Sequence, residues 1–454
     1  MNNKPCNERK EAVEILLKVF QEGAYSSILL QQTFNTHPEW NTRQKALIAN
    51  LVYTVLTHYL RLECMVDLYS KTPVCKMEPY VAMVLMVSAA QFLWMDKIPQ
   101  SAVVDEAVKL ITKSPHRRLS GFVNAILRTM LRENLRESWP EAGTDLLEHL
   151  SVRYSIPRWI LEMWEKTYGL DQTKKLAQYL TIPRNLSIRC NTLKITRNEL
   201  EDKLTQRLGA ENVHRGKCCP ESLILEGAGN FAAWPEFVEG LFTVQDESSM
   251  VCAHVLNPQP GEKVLDMCAA PGGKSSHMAQ LMKNKGLVCS RDVHEHKIKL
   301  MQTTAKRLGL DMMKPELGDA LVAKDSDHEA WDRVLLDAPC SGLGIIRNKP
   351  DLKIHKSMKE LQELVPLQRQ MLDRAADCVR SGGVLVYSTC TLHPGENEEN
   401  VAWFLARHPE FQAVSAADCV PEGFPMGQVT EQYTYVFPEK EYFDGFFIAK
   451  FRKR

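Results

Sequence analysis

From about Leu241 onward, strand-like and helix-like segments alternate. Apolar runs at 263–268, 286–292, 333–338 and 383–389 are separated by helical patterns at 274–283, 295–308, 367–380 and 395–408. This alternation predicts a parallel, doubly wound sheet, because each helix carries the chain back to start the next strand in the same direction. In such a sheet ligands sit beyond the carboxyl ends of the strands. Three of those ends are chemically conspicuous: Asp266-Met267-Cys268-Ala269-Ala270-Pro271-Gly272-Gly273-Lys274, Asp337-Ala338-Pro339-Cys340 and Tyr387-Ser388-Thr389-Cys390. A small-residue turn on one strand, with thiols ending two others, predicts a nucleotide-type cofactor facing a sulfur nucleophile.

At 454 residues the chain is too long for one core. Apolar positions at three-to-four spacing (Ala12, Ile15, Leu16, Val19, Phe20) and helical stretches at 81–94, 101–112 and 121–132 predict an all-α domain. A polar stretch at 133–148, broken by Trp139-Pro140 and Gly143, reads as a linker. From 149 to 240, short helices (157–168, 171–180) mix with strand-like runs (186–190, 223–225). The expected organisation is multidomain: residues 1–140 all-α, 141–240 a small α+β linking module, and 241–454 an α/β Rossmann-like domain closed by a strand pair at 433–437 and 446–451.

Lys+Arg and Asp+Glu are both 56, so any nucleic-acid contact must come from local patches. Arg117, Arg118, Arg128, Arg132 and Arg136 concentrate charge near the end of the helical domain, and Arg347, Lys349 and Lys353 follow the Cys340 loop. The 13 cysteines form no CxxC pair, which predicts a reduced, cytoplasmic protein. The 13 histidines form no HExxH, so no metal is expected. The longest apolar stretch, 80–95, is interrupted by Ser88 and Gln91 and predicts a buried helix rather than a membrane span.

In the first turn, Ala269, Ala270, Gly272 and Gly273 let a ligand approach the backbone, and the following helix offers free N–H groups. GxGxxG is absent, against an ordinary dinucleotide site. Asp292, ending the second strand, suits the two hydroxyls of a ribose, and Asp319, ending the third, can accept from an adenine amino group. A nucleoside cofactor without a demanding phosphate site fits S-adenosylmethionine. Lys274 could meet the cofactor's carboxylate, a catalytic carboxylate, RNA or only solvent. A thiolate adds readily to C6 of a pyrimidine and loads electron density onto C5, which can then take a methyl group from a sulfonium. Cys340, Cys390 and Asp337 supply the residue types for this chemistry, without deciding which cysteine attacks.

Together these segments resemble the Nop/Sun family of RNA cytosine-5 methyltransferases. The likeness rests on 266–274 as the cofactor motif (Cys268 included), on Asp337-Ala338-Pro339-Cys340-Ser341-Gly342 and Tyr387-Ser388-Thr389-Cys390, on Arg189-Cys190-Asn191-Thr192-Leu193-Lys194, on Gln245-Asp246-Glu247-Ser248-Ser249-Met250 and on Asp444-Gly445-Phe446-Phe447-Ile448-Ala449. Residues 99–108 and 121–128 resemble a NusB-type RNA-binding domain. That combination is similar to the bacterial Sun/Fmu enzymes, which modify small-subunit rRNA.

The resemblance implies that Cys390 attacks, Cys340 helps release the product and Asp337 steadies N3 of the base. Lys274 joins them among the implied catalytic residues. It also implies that Asp292, Asp319 and Asp337 contact S-adenosylmethionine and that Arg189 lies on the RNA side. The expected partner is small-subunit rRNA, met by a monomer without metal or membrane. A tRNA substrate, or a non-catalytic RNA-binding assembly factor, is the alternative; the presence of both cysteines and Asp337 speaks for catalysis. Asn348 departs from the pattern where a second arginine is common.

Overall fold

The computed structural model describes residues 7–133, 145–416, 420, 426–438 and 443–454; Arg136, Trp139-Pro140 and Gly143 lie outside them. The chain divides into two compact units, Met1–Thr181 with Ile346–Lys356, and Ile182–Ile345 with Ser357–Arg454.

The first unit is helical. Glu8–Glu22, Thr42–Thr57, Tyr59–Tyr69, Gln100–Thr112 and Ser120–Arg132 each turn an apolar stripe inward. Pro79–Trp94 is buried along nearly its whole length, from Val81 to Phe92. Its two polar residues are satisfied within the core: the Ser88 hydroxyl donates to Val84 O (2.7 Å), and Gln91 donates to Val87 O (3.0 Å) while accepting from Arg9. That is how a helix interrupted by serine and glutamine stays inside.

The sequence pattern places a module boundary near 140, but the helices Leu146–Tyr154, Arg158–Tyr168 and Leu170–Tyr179 belong to the first unit. The Ser155 hydroxyl there accepts from Arg61 N (3.1 Å). The excursion Ile346–Lys356 belongs to it as well. Asp351 accepts from Ser26 N (3.0 Å) at the start of the helix Ser26–Thr36, Lys353 Nζ donates to Thr57 O (2.7 Å) at the end of another helix, and Ile354 packs on the helical core. Unpaired groups at helix ends recruit this stretch, whatever its distance in sequence.

In the second unit β1 (Leu186–Cys190), β2 (Val213–Arg215), β3 (Ser222–Leu225) and β4 (Phe242–Val244) form a small antiparallel sheet in the order β2-β3-β1-β4. The large sheet holds β5 (Lys263–Asp266), β6 (Leu287–Asp292), β7 (Met313–Leu317), β8 (Trp331–Asp337), β9 (Val379–Thr389), β10 (Phe411–Val414), β11 (Met426–Val429), β12 (Thr434–Val436) and β13 (Phe446–Lys453). Its order is β11-β12-β13-β9-β8-β5-β6-β7, with β10 paired to β13.

Strands β5 to β9 run parallel, and β13 closes antiparallel against both β9 and β12, so the expected strand pair at the end of the chain is present. The parallel strands are buried on both faces and read as continuous apolar runs (Val264-Leu265, Val334-Leu335-Leu336, Leu385-Val386). The chain moves outward from β5 to β6 and β7, then returns to β8 on the other side of β5. That reversal opens a crevice at the carboxyl ends of β5 and β8.

One helix differs from expectation. Met358–Cys378 starts nine residues before 367 and runs through Pro366. Ser357 and Glu360 cap each other's backbone at its start, and the proline ring sits on the exposed side, so the cap overrides the proline signal.

Candidate active site

The cofactor motif occupies the crevice wall. Asp266 ends β5, and the turn leads into the helix Gly273–Leu281. Gly272 has φ +98, and a Cβ there would meet Met301 and Met313 at 3.1 Å, so both conformation and space call for glycine. The turn is fixed by Met267 N to Leu335 O (3.0 Å), Ala269 N to Arg291 O (2.7 Å) and Gly272 N to Ala269 O (2.7 Å).

Asp266 is fully buried, and burial raises its pKa to about 7. One oxygen accepts from Ser275 (2.6 Å); the other has no well-formed hydrogen bond. That spare buried acceptor, beside a turn open to close approach, fits a ligand carrying an ammonium group or hydroxyls.

Asp292 is nearly buried at the end of β6, accepting from His294 N (3.0 Å) and lying 3.4 Å from Lys297 Nζ. Asp319 is exposed just past β7, on a cleft that Met267, Ala320 and Val322 also line. Gly318 N donates to Asp292 O (3.1 Å), so the two carboxylates stand on neighbouring strand ends.

The thiols lie at the next two strand ends. Asp337 ends β8 opposite Ser388 of β9, and Ala338 N donates to Ser388 O (2.9 Å). Cys340 and Cys390, both half-buried, bring their sulfurs to 3.3 Å. Contact with the Cys390 sulfur, then burial, pushes the Cys340 thiol well above its usual pKa.

Lys274 Nζ donates to Asp337 at 2.6 Å and stands 5.2 Å from the centre of the Phe446 ring. Burial opposes its charge, but Asp337 outweighs burial and holds the ammonium above the usual lysine value. The Ser388 hydroxyl donates to the other Asp337 oxygen (2.9 Å).

A second layer sets the cysteine loops. Glu396, fully buried, accepts from Ser341 N (2.9 Å), Ser341 Oγ (2.6 Å) and Gln368 (2.8 Å), tying the loop after Cys390 to the loop after Cys340. Gly344 N donates to Cys390 O (3.0 Å), and Gly445 N donates to Gly344 O (2.8 Å). A Cβ on Gly344 would lie 2.3 Å from Gly445 O, and one on Gly445 would lie 2.8 Å from Gly344 Cα, so this crossing of two distant segments calls for glycine in both. The sequence gives no warning of Glu396 or Gln368 as site residues, and it marks Ser388 only as a neighbour of Cys390. A polar residue facing a buried loop carries no periodic signal.

The structure thus brings Lys274, Asp337, Cys340 and Cys390 together and puts Cys268, Ala269, Ala270, Pro271, Gly272 and Gly273 at the adjoining turn. Two expected RNA contacts are corrected. Arg189 is 1% exposed; its guanidinium donates to Gly273 O (2.9 Å), Ser276 (2.8 Å), Gln280 (3.3 Å) and Gln245, bracing the cofactor helix from behind. Lys353 is 2% exposed and donates into the helical unit. Both point inward because each satisfies carbonyls or side chains that burial would otherwise orphan. Arg117, Arg118 and Lys349 are exposed, and Arg347 is half-buried.

Comparisons with known proteins agree with this layout. The family model described as 16S rRNA methyltransferase RsmB/F matches residues 253–452, the NusB family matches 6–132, and an RsmF/B-like ferredoxin-like domain matches 156–232. A protein of Bacillus subtilis (strain 168) named "Probable ribosomal RNA small subunit methyltransferase B" is 37% identical over 99% of this chain and 100% of its own length. The crystal structure of PH0851 covers 99% of this chain and 100% of that one, with a TM-score of 0.78 at 28% identity. NSun6 from Pyrococcus horikoshii, solved with the S-adenosylmethionine analogue SFG, covers 65% of this chain and 98% of that one, with a TM-score of 0.59 at 26% identity.

Proposed function

Because this chain belongs to the RsmB/F family of 16S rRNA methyltransferases, with S-adenosylmethionine as methyl donor, we propose that it methylates C5 of a cytosine in small-subunit rRNA through a covalent bond to Cys390. The observation that carries this reading is the pair of sulfurs 3.3 Å apart on adjacent strand ends, beside the 2.6 Å Lys274–Asp337 pair.

Carbon C5 of cytosine is a poor nucleophile. Attack of the Cys390 sulfur on C6 forms the S–C6 bond, opens the C5=C6 bond and makes C5 electron-rich. Attack at C6 makes N3, which has no hydrogen of its own, basic; a proton moves to it from the Lys274–Asp337 pair, and Asp337, held by Ser388, then accepts from N3–H and stabilises the adduct until the proton returns. The bound cofactor supplies a sulfonium methyl for C5. Cys340 is near enough to take part in removing the C5 proton, after which C5=C6 reforms and the Cys390 sulfur leaves. Attack from above the ring requires an unstacked base, which favours a loop nucleotide.

Labelled S-adenosylmethionine and hypomethylated small-subunit rRNA test the assignment. Cys390→Ala should transfer no methyl group, and equal transfer by variant and wild type would remove Cys390 from the attacking role. Cys340→Ala should trap a covalent RNA–protein species on a denaturing gel; a gel without a shifted band counts against its part in release.

A further inference from the structure

Behind the cofactor helix lies a second group of reactive side chains that methyl transfer does not use, all within the second unit. Cys218, Cys219 and Glu221 come from the loop between β2 and β3, Glu247 and His254 from the helix Glu247–Leu256, and His277 from the helix Gly273–Leu281. Cys219 Sγ, a Glu221 carboxylate oxygen and a His254 ring nitrogen lie within 4.8 Å of one another. His254 Nε2 stands 2.9 Å, and His277 Nε2 2.5 Å, from the same Glu221 oxygen, with the two rings edge to face at 5.1 Å. His277 is 0% exposed and spends its Nε2 on this contact with Glu221. Cys218 Sγ lies 3.8 Å from Cys219 Sγ and 3.4 Å from Glu247 Oε1. The Glu247 carboxylate is itself held by the backbone N–H groups of Lys217, Cys218 and Cys219 at 3.0, 3.2 and 3.0 Å.

We propose that Cys219, Glu221 and His254 bind one divalent transition metal ion of the zinc class. A hydrogen-bonded cluster accounts for Glu221 with its two histidines, because a carboxylate oxygen carries two lone pairs. It does not account for a thiol within 4.8 Å of both the Glu221 oxygen and the His254 nitrogen. Zinc takes thiolate, imidazole and carboxylate together, at about 2.0–2.3 Å in a tetrahedron, so its ligand atoms end roughly 3.3–3.8 Å apart.

A thiolate with an imidazole selects such an ion over magnesium or calcium. On binding, the Cys219 S–H bond breaks, the proton leaves to solvent and a sulfur–metal bond forms; the imidazole binds neutral. With three protein ligands the ion keeps a fourth position for water, and it staples the β2–β3 loop to the helix Glu247–Leu256. The His254 side chain, 17% exposed, marks the way in.

The test uses the full chain, reduced, stripped of metal by a chelator and titrated with Co²⁺ alone. The wild type should bind a single equivalent, with a thiolate-to-cobalt band in the near ultraviolet and the visible bands of a four-coordinate ion, and Zn²⁺ should displace it. Cys219→Ser should lose the thiolate band, and His254→Gln should weaken binding by at least about tenfold. Cys75→Ser, which removes an exposed thiol elsewhere, should change nothing. Near-ultraviolet circular dichroism establishes that each variant is folded. Should Cys219→Ser fail to fold, His254→Gln, at a partly exposed position, decides alone. A folded wild type that takes up no cobalt, or undiminished cobalt binding in His254→Gln, overturns the proposal and leaves a hydrogen-bonded cluster only.

Discussion

Asp266 and Asp337 end neighbouring strands of the same sheet, yet their surroundings divide them. Asp337 receives an ammonium and a hydroxyl, from Lys274 and Ser388. Asp266 receives the Ser275 hydroxyl but no cation in a fully buried place, and burial lifts it to about 7. An unfolded aspartate titrates near ~3.9. Between those values the folded chain holds a proton that the unfolded chain has released. The contribution of Asp266 to stability is therefore complete below about pH 4 and is lost as pH rises to about 7, an effect on the order of 4 kcal/mol at most. Asp266→Asn cannot ionise and should lack this slope. Urea melts of both proteins across that window check it: the wild type should lose stability relative to the variant as pH rises, and parallel curves would mean that Asp266 titrates normally. The sequence identifies both aspartates as strand ends. It carries no sign of which is paired, because pairing is set by Ser388 and Lys274, which arrive from other elements.

At the scale of elements, the cofactor turn is legible residue by residue because its constraint is local. The conformation of Gly272 depends on the turn itself and on the two methionines it approaches. Gly272→Ala is expected to destabilise the protein by about 1–3 kcal/mol through positive φ and to weaken binding of S-adenosylmethionine. Thermal melts with and without the cofactor read both effects, and an unshifted melting temperature would show the turn to be tolerant. Arg189 faces inward, against expectation, because its partners are Gly273, Ser276 and Gln280, more than eighty residues away. The helix Met358–Cys378 begins ahead of the expected 367 for a local reason: Ser357 caps it, and it continues through Pro366.

Over the whole molecule the equal counts of 56 basic and 56 acidic residues leave RNA binding to patches. Arg117 and Arg118 are exposed on the helical unit. Replacing both with glutamate should weaken binding of small-subunit rRNA and flatten the dependence of log K on log salt, by about one unit for each phosphate that is no longer neutralised. Filter binding across a salt series measures this; an unchanged slope would make them solvated surface residues.

By itself the sequence determined the α-then-α/β architecture, the strand ends that face the crevice, the glycine turn and the two thiols. Each of these follows from periodicity or from a backbone requirement within a few residues. Only the tertiary structure decided that residues 346–356 and 146–180 join the helical unit, that Arg189 and Lys353 face inward, that Glu396 ties the cysteine loops together, and that two cysteines, two glutamates and two histidines gather behind the cofactor helix. The physical reason is common to all of them. A buried polar group takes whichever partner the packing of distant segments brings within reach, and no spacing along the chain records that distance.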